Sequence, residues 1–346
     1  MNRPILTFAI VILMIAMESG AVAGVHAQSG TEGTNPDTGT ILVKFRSSIG
    51  ASDVSQIHRQ LEGQVKRTIP SIGVQVVSVP RGKAAEKIAE YLSNPRVLYA
   101  EPDYVSQAAL APNDTYLSQQ WALSKLQAQQ AWGISTGNSN VRIAILDTGV
   151  DLDHPDLAGK IVDSINFTGS STADDIYGHG THVAGIAAAI PNNASGVAGL
   201  GYDSSILNVK VLGDDGLGYY SWIASGVIWA ADHGANVINM SLGATWNSSV
   251  LEDAVNYAWG KGVVVVAAAG NNGDSTPFYP AYYANAMAVA ATDSNDILAS
   301  WSNRGEWVDV AAPGVSIYST LKDNGYGYKS GTSMASPHTA GLAAQL

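Results

Sequence analysis

Between residues 40 and 100, short apolar alternations and helical spacings follow one another without a long hydrophobic run. Residues 40–46 (TILVKFR) alternate as a half-buried strand should, and 52–61 place Val54, Ile57 and Leu61 on one helical face. Residues 64–69 and 73–79 read as a strand pair, 83–92 (KAAEKIAEYL) as a helix and 97–100 as a closing strand. That order, βαββαβ, predicts a small α+β domain of ferredoxin-like type. From Trp121 onward the pattern changes. Apolar runs at 141–146, 206–212, 237–240 and 263–268 alternate with helical stretches at 179–190, 220–233 and 249–261, and 286–291 and 308–311 add two strands. Runs apolar on both faces belong to a parallel sheet covered by helices on each side. The second unit is therefore predicted to be α/β with a mostly parallel sheet. Ligand sites in such sheets lie outside the carboxyl ends of the strands.

Composition adds a compartment and a boundary. There is no cysteine, so neither a disulfide nor a thiolate metal site is available. The N-terminus carries Arg3, an apolar run over residues 5–17 and small residues around Val25-His26-Ala27. This predicts a secretory signal peptide over residues 1–27, the run being too short to span a bilayer; an uncleaved anchor is the alternative. No later segment has the length of a membrane span, so the expected product is secreted, without stable membrane association, and monomeric. Charge is unevenly spread. Residues 28–110 carry 9 Lys+Arg against 8 Asp+Glu, whereas residues 111–346 carry 8 against 20. An acidic main unit argues against a nucleic-acid partner, which needs basic patches. Residues 29–38 form a polar, Gly-rich leader, and 108–113 (AALAPN) a cleavable junction, with the boundary expected between about 104 and 111.

Four motifs carry candidate chemistry. Asp147 ends the 141–146 strand in Asp147-Thr148-Gly149, where a carboxylate needs a partner; alone, it could equally cap a turn. His179 lies between glycines in Gly178-His179-Gly180-Thr181-His182, opening a helix of small residues. The pair His179 and His182 lacks the Glu and third ligand of a zinc motif, so a general base is the better reading. Asn271 follows the 263–268 strand in Gly270-Asn271-Asn272-Gly273 and could offer an amide N–H to a developing oxyanion, or simply shape a turn. Ser333, in Gly331-Thr332-Ser333-Met334-Ala335-Ser336-Pro337-His338, sits where a helix can start. By itself it is an ordinary cap; as a nucleophile it needs a base.

In the order Asp147, His179, Asn271, Ser333, with the blocks AILDTGVDLDHPDL, GHGTHVAGIAAA, VVVVAAAGN and GTSMASPHTAG, the chain resembles the subtilisin-like serine proteases, and among them the thermitase branch. The resemblance implies a subtilisin-like three-layer fold over residues 111–346, preceded over 28–110 by an inhibitory propeptide. It implies that Ser333 is the nucleophile, that His179 is the base and that Asp147 orients it. Asn271 and the Ser333 N–H would form the oxyanion hole. Protein or peptide substrates would lie between Gly216-Leu217-Gly218 and Ser241-Leu242-Gly243, with Ala268-Ala269-Gly270 as a further pocket wall. Phe278 falls at the pocket base and is expected to narrow it. Residues 190–197 resemble the family's calcium loop, and Asp114, Asp156, Asn193 and the carbonyls of Ile190, Ser195 and Val197 are the implied ligands of a structural Ca2+. A second calcium site is not expected, because residues 166–172 (NFTGSST) lack acidic groups.

Family members continue well past the nucleophile, whereas this chain stops at Leu346, 13 residues after Ser333, and so reads as cut short at its C-terminus. Two other readings remain at this point. One is an inactive or non-catalytic binding protein that keeps the fold; it would ordinarily show a lost triad member. The other is an α/β-hydrolase esterase, which the absence of a G-x-S-x-G elbow and the chain order disfavour.

Overall fold

The computed structural model describes residues 39–47, 49–104 and 111–346. The expected signal peptide, the 29–38 leader and residues 108–110 of the expected junction lie outside them. The described residues fall into two compact units, divided between 104 and 111.

The first unit runs β1 (Thr40–Phe45), α1 (Ala51–Gln60), β2 (Gln64–Ile69), β3 (Val74–Ser78), α2 (Ala84–Ser93) and β4 (Val97–Pro102). Its four strands are antiparallel in the order β2-β3-β1-β4, the ferredoxin-like arrangement. Alternation sends Ile41 and Val43 of β1 into a core with Ile57, Val77, Tyr91 and Val97. His58, buried among them, meets the Tyr91 hydroxyl and the Gln75 amide oxygen, both at 2.7 Å. Burial holds its pKa below the ordinary imidazole value.

The second unit opens with two short helices, α3 (Trp121–Lys125) and α4 (Ala128–Ile134). It continues through β5 (Arg142–Asp147), β6 (Ile161–Asn166), α5 (Gly180–Ala188), β7 (Ser205–Lys210), α6 (Tyr220–Asp232), β8 (Val237–Met240), α7 (Ser249–Gly260), β9 (Val264–Ala268), β10 (Met287–Thr292) and β11 (Val310–Pro313). A hairpin, β12 (Ile317–Leu321) and β13 (Gly325–Lys329), leads into α8 (Thr332–Ala343). Seven strands form one parallel sheet in the order β11-β10-β9-β8-β5-β7-β6. Period-two alternation divides the core. Ala144 and Leu146 of β5 pack with Val227 of α6 and Val255 of α7 on one face. Ile143 and Ile145 pack with Val183 of α5 and Met334 of α8 on the other. The result is three layers.

Strand β5 lies between β7 and β8, and the chain leaves it first towards one edge and later towards the other. It is the switch-point strand, and Asp147 is its last residue. Parallel register then brings Met240 beside Leu146, Ala267 beside Met240, and Val289 beside Ala268. The carboxyl ends of β5, β8 and β9 therefore open on one crevice. Helices α5 and α8 can pack closely around it because their inward residues are small. At Gly185 a Cβ would lie 2.1 Å from the Thr320 hydroxyl of β12.

Candidate active site

The backbone delivers His179, the candidate base, to a buried carboxylate that needs donors. Asp147 is fully buried. Its Oδ1 accepts from the Thr148 N–H (2.8 Å) and from His179 Nδ1 (2.6 Å). Since Nδ1 carries the donated hydrogen, Nε2 is left with its lone pair facing outward, as a general base requires. The imidazole is 21% exposed. Burial disfavours its charged form, but the charge and hydrogen bond of Asp147 outweigh that and hold its pKa above the ordinary value.

A residue that the sequence did not single out holds this pair in register. Asp175, buried, accepts from the Thr148 hydroxyl (2.7 Å), the Gly178 N–H (2.7 Å), and the N–H (2.8 Å) and hydroxyl (2.6 Å) of Thr181. The Thr148 hydroxyl in turn accepts from the Gly180 N–H (2.9 Å). The turns bearing Asp147 and His179 are thus stitched through one carboxylate. His182 is turned elsewhere. Its Nε2 donates to the Gly327 carbonyl of β13 (3.1 Å), and burial lowers its pKa to about 3, so it serves as a neutral structural donor.

On the opposite side, Ser333 is the second residue of α8. Its hydroxyl donates to the Ser241 carbonyl (3.2 Å), and the Ser241 hydroxyl donates back to the Ser333 carbonyl (2.9 Å). The second bond has a covalent cause. Pro337, four residues on, has no N–H to give the Ser333 carbonyl, so that acceptor would otherwise be orphaned at the helix start. Ser241 is itself fixed by the Asn239 amide (3.0 Å) and the Ser336 hydroxyl (2.9 Å).

Asn271, in the turn after β9, is oriented by Thr332. The N–H and hydroxyl of Thr332 both donate to its Oδ1 at 2.9 Å, and the Thr332 hydroxyl accepts from the Gly270 N–H (3.1 Å). With Oδ1 engaged twice, the Nδ2 hydrogens are the ones available to a ligand. A Cβ built on Gly331 would lie 3.7 Å from this Nδ2 and 3.6 Å from the Ser333 backbone nitrogen. Two donors thus border one small space, which suits a developing oxyanion.

The two candidate substrate stretches differ in build. Gly216, Leu217 and Gly218 form a loop between β7 and α6, with Leu217 70% exposed. Ser241, Leu242 and Gly243 leave β8. Among the described residues the backbone groups of Gly218, Leu242 and Gly243 make no internal hydrogen bonds, so an extended peptide can pair with them. Ala268 and Ala269 are buried at the end of β9. The Phe278 ring lies between the glycines that follow these strands. A Cβ would meet it at 2.5 Å from Gly243 and at 2.9 Å from Gly270.

The loop 190–197 surrounds a second group of oxygens. Asp156 is buried and accepts from the Asn193 amide and the Val197 N–H, both at 2.7 Å. Asp114 accepts from the Asn192 N–H (2.8 Å) through Oδ2, while its buried Oδ1 has no partner among the described residues. Burial raises the pKa of both carboxyls, and the charge of Asp114 adds to the effect on Asp156. The carbonyls of Ile190, Ser195 and Val197 accept no hydrogen bond among the described residues. Among those residues no cluster of three or more His, Asp or Glu side chains could hold a metal ion; any ion here would depend on two carboxylates plus amide and backbone oxygens.

Comparison with known proteins agrees with this architecture. Residues 138–346 match the model of the subtilase family, and residues 23–103 match that of the fervidolysin N-terminal prodomain. A thermophilic serine proteinase from Bacillus sp. (strain AK1) is 47% identical over 310 residues, covering 89% of this chain and 77% of the relative. Thermitase from Thermoactinomyces vulgaris is 55% identical over 237 residues, covering 68% and 85%. A solved protease structure from Pseudoalteromonas arctica superposes with a TM-score of 0.62 at 36% identity, over 68% of this chain and 86% of that one.

The arrangement makes Thr332 a test of oxyanion geometry. Thr332→Val removes the hydroxyl that orients Asn271 while keeping its shape. Loss of an oxyanion donor itself costs roughly 100- to 1,000-fold in kcat. The indirect change is therefore expected to lower kcat about tenfold with KM nearly unchanged, in steady-state hydrolysis of a peptide substrate.

Proposed function

Since the chain belongs to the subtilase family and is a serine endopeptidase carrying a prodomain, we propose that Asp147, His179 and Ser333 are its catalytic triad. The single observation that carries the assignment is the Asp147–His179 contact of 2.6 Å, which fixes the tautomer and leaves Nε2 as the base. Ser333 rotates from the Ser241 carbonyl to give its proton to Nε2 and attacks the peptide carbonyl. Asn271 Nδ2 and the Ser333 N–H receive the oxyanion. The imidazolium then protonates the leaving amine, and water hydrolyses the acyl-enzyme by the same proton path.

The proposal extends to the rest of the chain. Residues 1–27 act as a secretory signal and 28–110 as an inhibitory prodomain released between about 104 and 111, giving a secreted monomer that works on protein substrates. Among the described residues no helix is long and apolar enough to cross a membrane. The 190–197 loop takes a structural Ca2+. The support is chemical: two buried carboxylates, one with an oxygen unpartnered among the described residues, next to backbone carbonyls that accept no hydrogen bond among those residues, form a donor set suited to a hard cation. Asp114, Asp156, Asn193 and the carbonyls of Ile190, Ser195 and Val197 would hold it, and bound calcium supplies neutralisation of those two charges. Phe278, between Gly243 and Gly270, narrows the pocket for the residue before the scissile bond and favours medium apolar side chains there.

The base must be neutral to act, and Asp147 raises the pKa of His179. Peptide hydrolysis should therefore fall as pH drops through a value above the ordinary imidazole pKa of about 6.5. Asp147→Asn should reduce kcat by roughly 10,000-fold, as expected when the tautomer is lost; an acid limb well below the ordinary value, or a mild Asp147→Asn phenotype, contradicts the assignment. Chelator should lower the thermal midpoint of the wild type, and Asp156→Asn should lower it and remove the chelator response. Phe278→Gly should move the kcat/KM ratio towards large aromatic residues before the scissile bond by about tenfold or more, read with a matched peptide series.

A further inference from the structure

The hairpin β12–β13 does more than cover α5. Its side chains reach a run of backbone carbonyls on the segment that bears the base. Ser319 Oγ donates to the His182 carbonyl (2.9 Å) and Thr320 Oγ1 to the Thr181 carbonyl (2.7 Å). Lys322 Nζ donates to the Ile176 carbonyl (2.9 Å), and Lys329 Nζ to the Gly178 carbonyl (2.6 Å). Gly178 immediately precedes His179 and adopts φ +87°, a left-handed conformation that favours glycine; its N–H is held by Asp175 and its carbonyl by Lys329. Lys329 is the last residue of β13, four positions before Ser333. One short run therefore touches the turn of the base at one end and carries the nucleophile at the other.

We infer that Lys329 is a positioning residue for the general base, tying the Gly178 carbonyl to the strand that runs into the nucleophile and so keeping the imidazole in register with Ser333. The inference rests on the reading of His179 as the base. Lysine side chains lose much rotamer freedom when held. Holding this one is reasonable because the residue is half-buried and its ammonium gives a charge-assisted bond. The position also has an electrostatic consequence. The charged groups around the His179 ring are Asp147 at the end of β5, Asp175 in the loop before α5, and Lys329; His182, one turn along α5, is neutral. Lys329 alone among these charges opposes protonation of the imidazole, keeping the base available further into acid than the two carboxylates would allow.

The test is the pH dependence of kcat and kcat/KM for the self-processed full-length protein, comparing wild type, Lys329→Met and Lys329→Arg, with thermal midpoints measured alongside. Lys329→Met is expected to lower plateau kcat roughly tenfold with little change in KM, the scale of a small misplacement of a catalytic group, and to move the acid limb to higher pH. Lys329→Arg, which keeps both donor and charge, should restore the limb and most of kcat. If Lys329→Met yields no folded protein, Lys329→Gln is read the same way. An unmoved acid limb in the neutral variant, whatever its midpoint, overturns the inference, as does a plateau kcat equal to that of the wild type. Full turnover in His179→Ala would overturn the base assignment itself, a result independent of any Lys329 variant.

Discussion

Burying a carboxylate at the end of a strand costs several kcal/mol unless hydrogen bonds or an opposite charge replace its water. Asp147 has no exposure and stands at the end of β5, the strand from which the sheet is built in both directions. Its requirement for donors constrains what surrounds it. The Thr148 N–H and His179 Nδ1 supply two of them, and the turn carrying His179 must come close enough for both to fit. That closeness dictates small residues. A Cβ at Gly180 would lie 2.1 Å from the Gly149 carbonyl oxygen and 2.9 Å from the Asp147 Cβ, so no larger residue fits there without displacing the backbone.

The Ser333 side obeys a parallel constraint. Pro337 removes one helical hydrogen bond from the first turn of α8 and so hands the Ser333 carbonyl to Ser241, at the end of β8. Thr332, one residue earlier, reaches the turn after β9 and orients Asn271. Helix α8 is thereby tied to two strand ends before it has completed a turn, and the hairpin before it is tied to the backbone on either side of His179. Ser333, Asn271 and His179 are each held by a hydrogen bond from another element, to Ser241, to Thr332 and to Asp147, with rigid elements behind them. Preorganisation of this kind allows electrostatic stabilisation without reorganisation during reaction.

Much of this was legible in the sequence, for physical reasons. Strands apolar on both faces and helices of small residues announce a covered parallel sheet, and residues at strand ends announce the crevice. Asp147, Ser241 and Asn271 were visible because they lie at or just beyond the carboxyl ends of such strands: Asp147 closes β5, Ser241 directly follows β8, and Asn271 comes three residues after β9. Strand β6 was not visible: its residues IVDSIN are half exposed at the sheet edge and carry no apolar run. The β12–β13 hairpin escaped for a similar reason, its Gly- and Tyr-rich GYGYK strand having no clear alternation, although Asp323-Asn324-Gly325 is a turn signal that could have marked it. Asp175, Thr332 and Lys329 lacked any local signal. Each acts through partners far away in the chain or through a neighbouring turn, and a lone Asp, Thr or Lys in a polar stretch gives no sign of what it touches.

The most direct test of the convergence on Ser333 is covalent labelling with a fluorophosphonate, followed by peptide mapping across a range of pH. The account predicts modification at Ser333, absent in Ser333→Ala, with a labelling rate that rises along the same acid limb as peptide hydrolysis. Labelling at another residue, undiminished labelling of Ser333→Ala, or a rate indifferent to the protonation of His179 would contradict it.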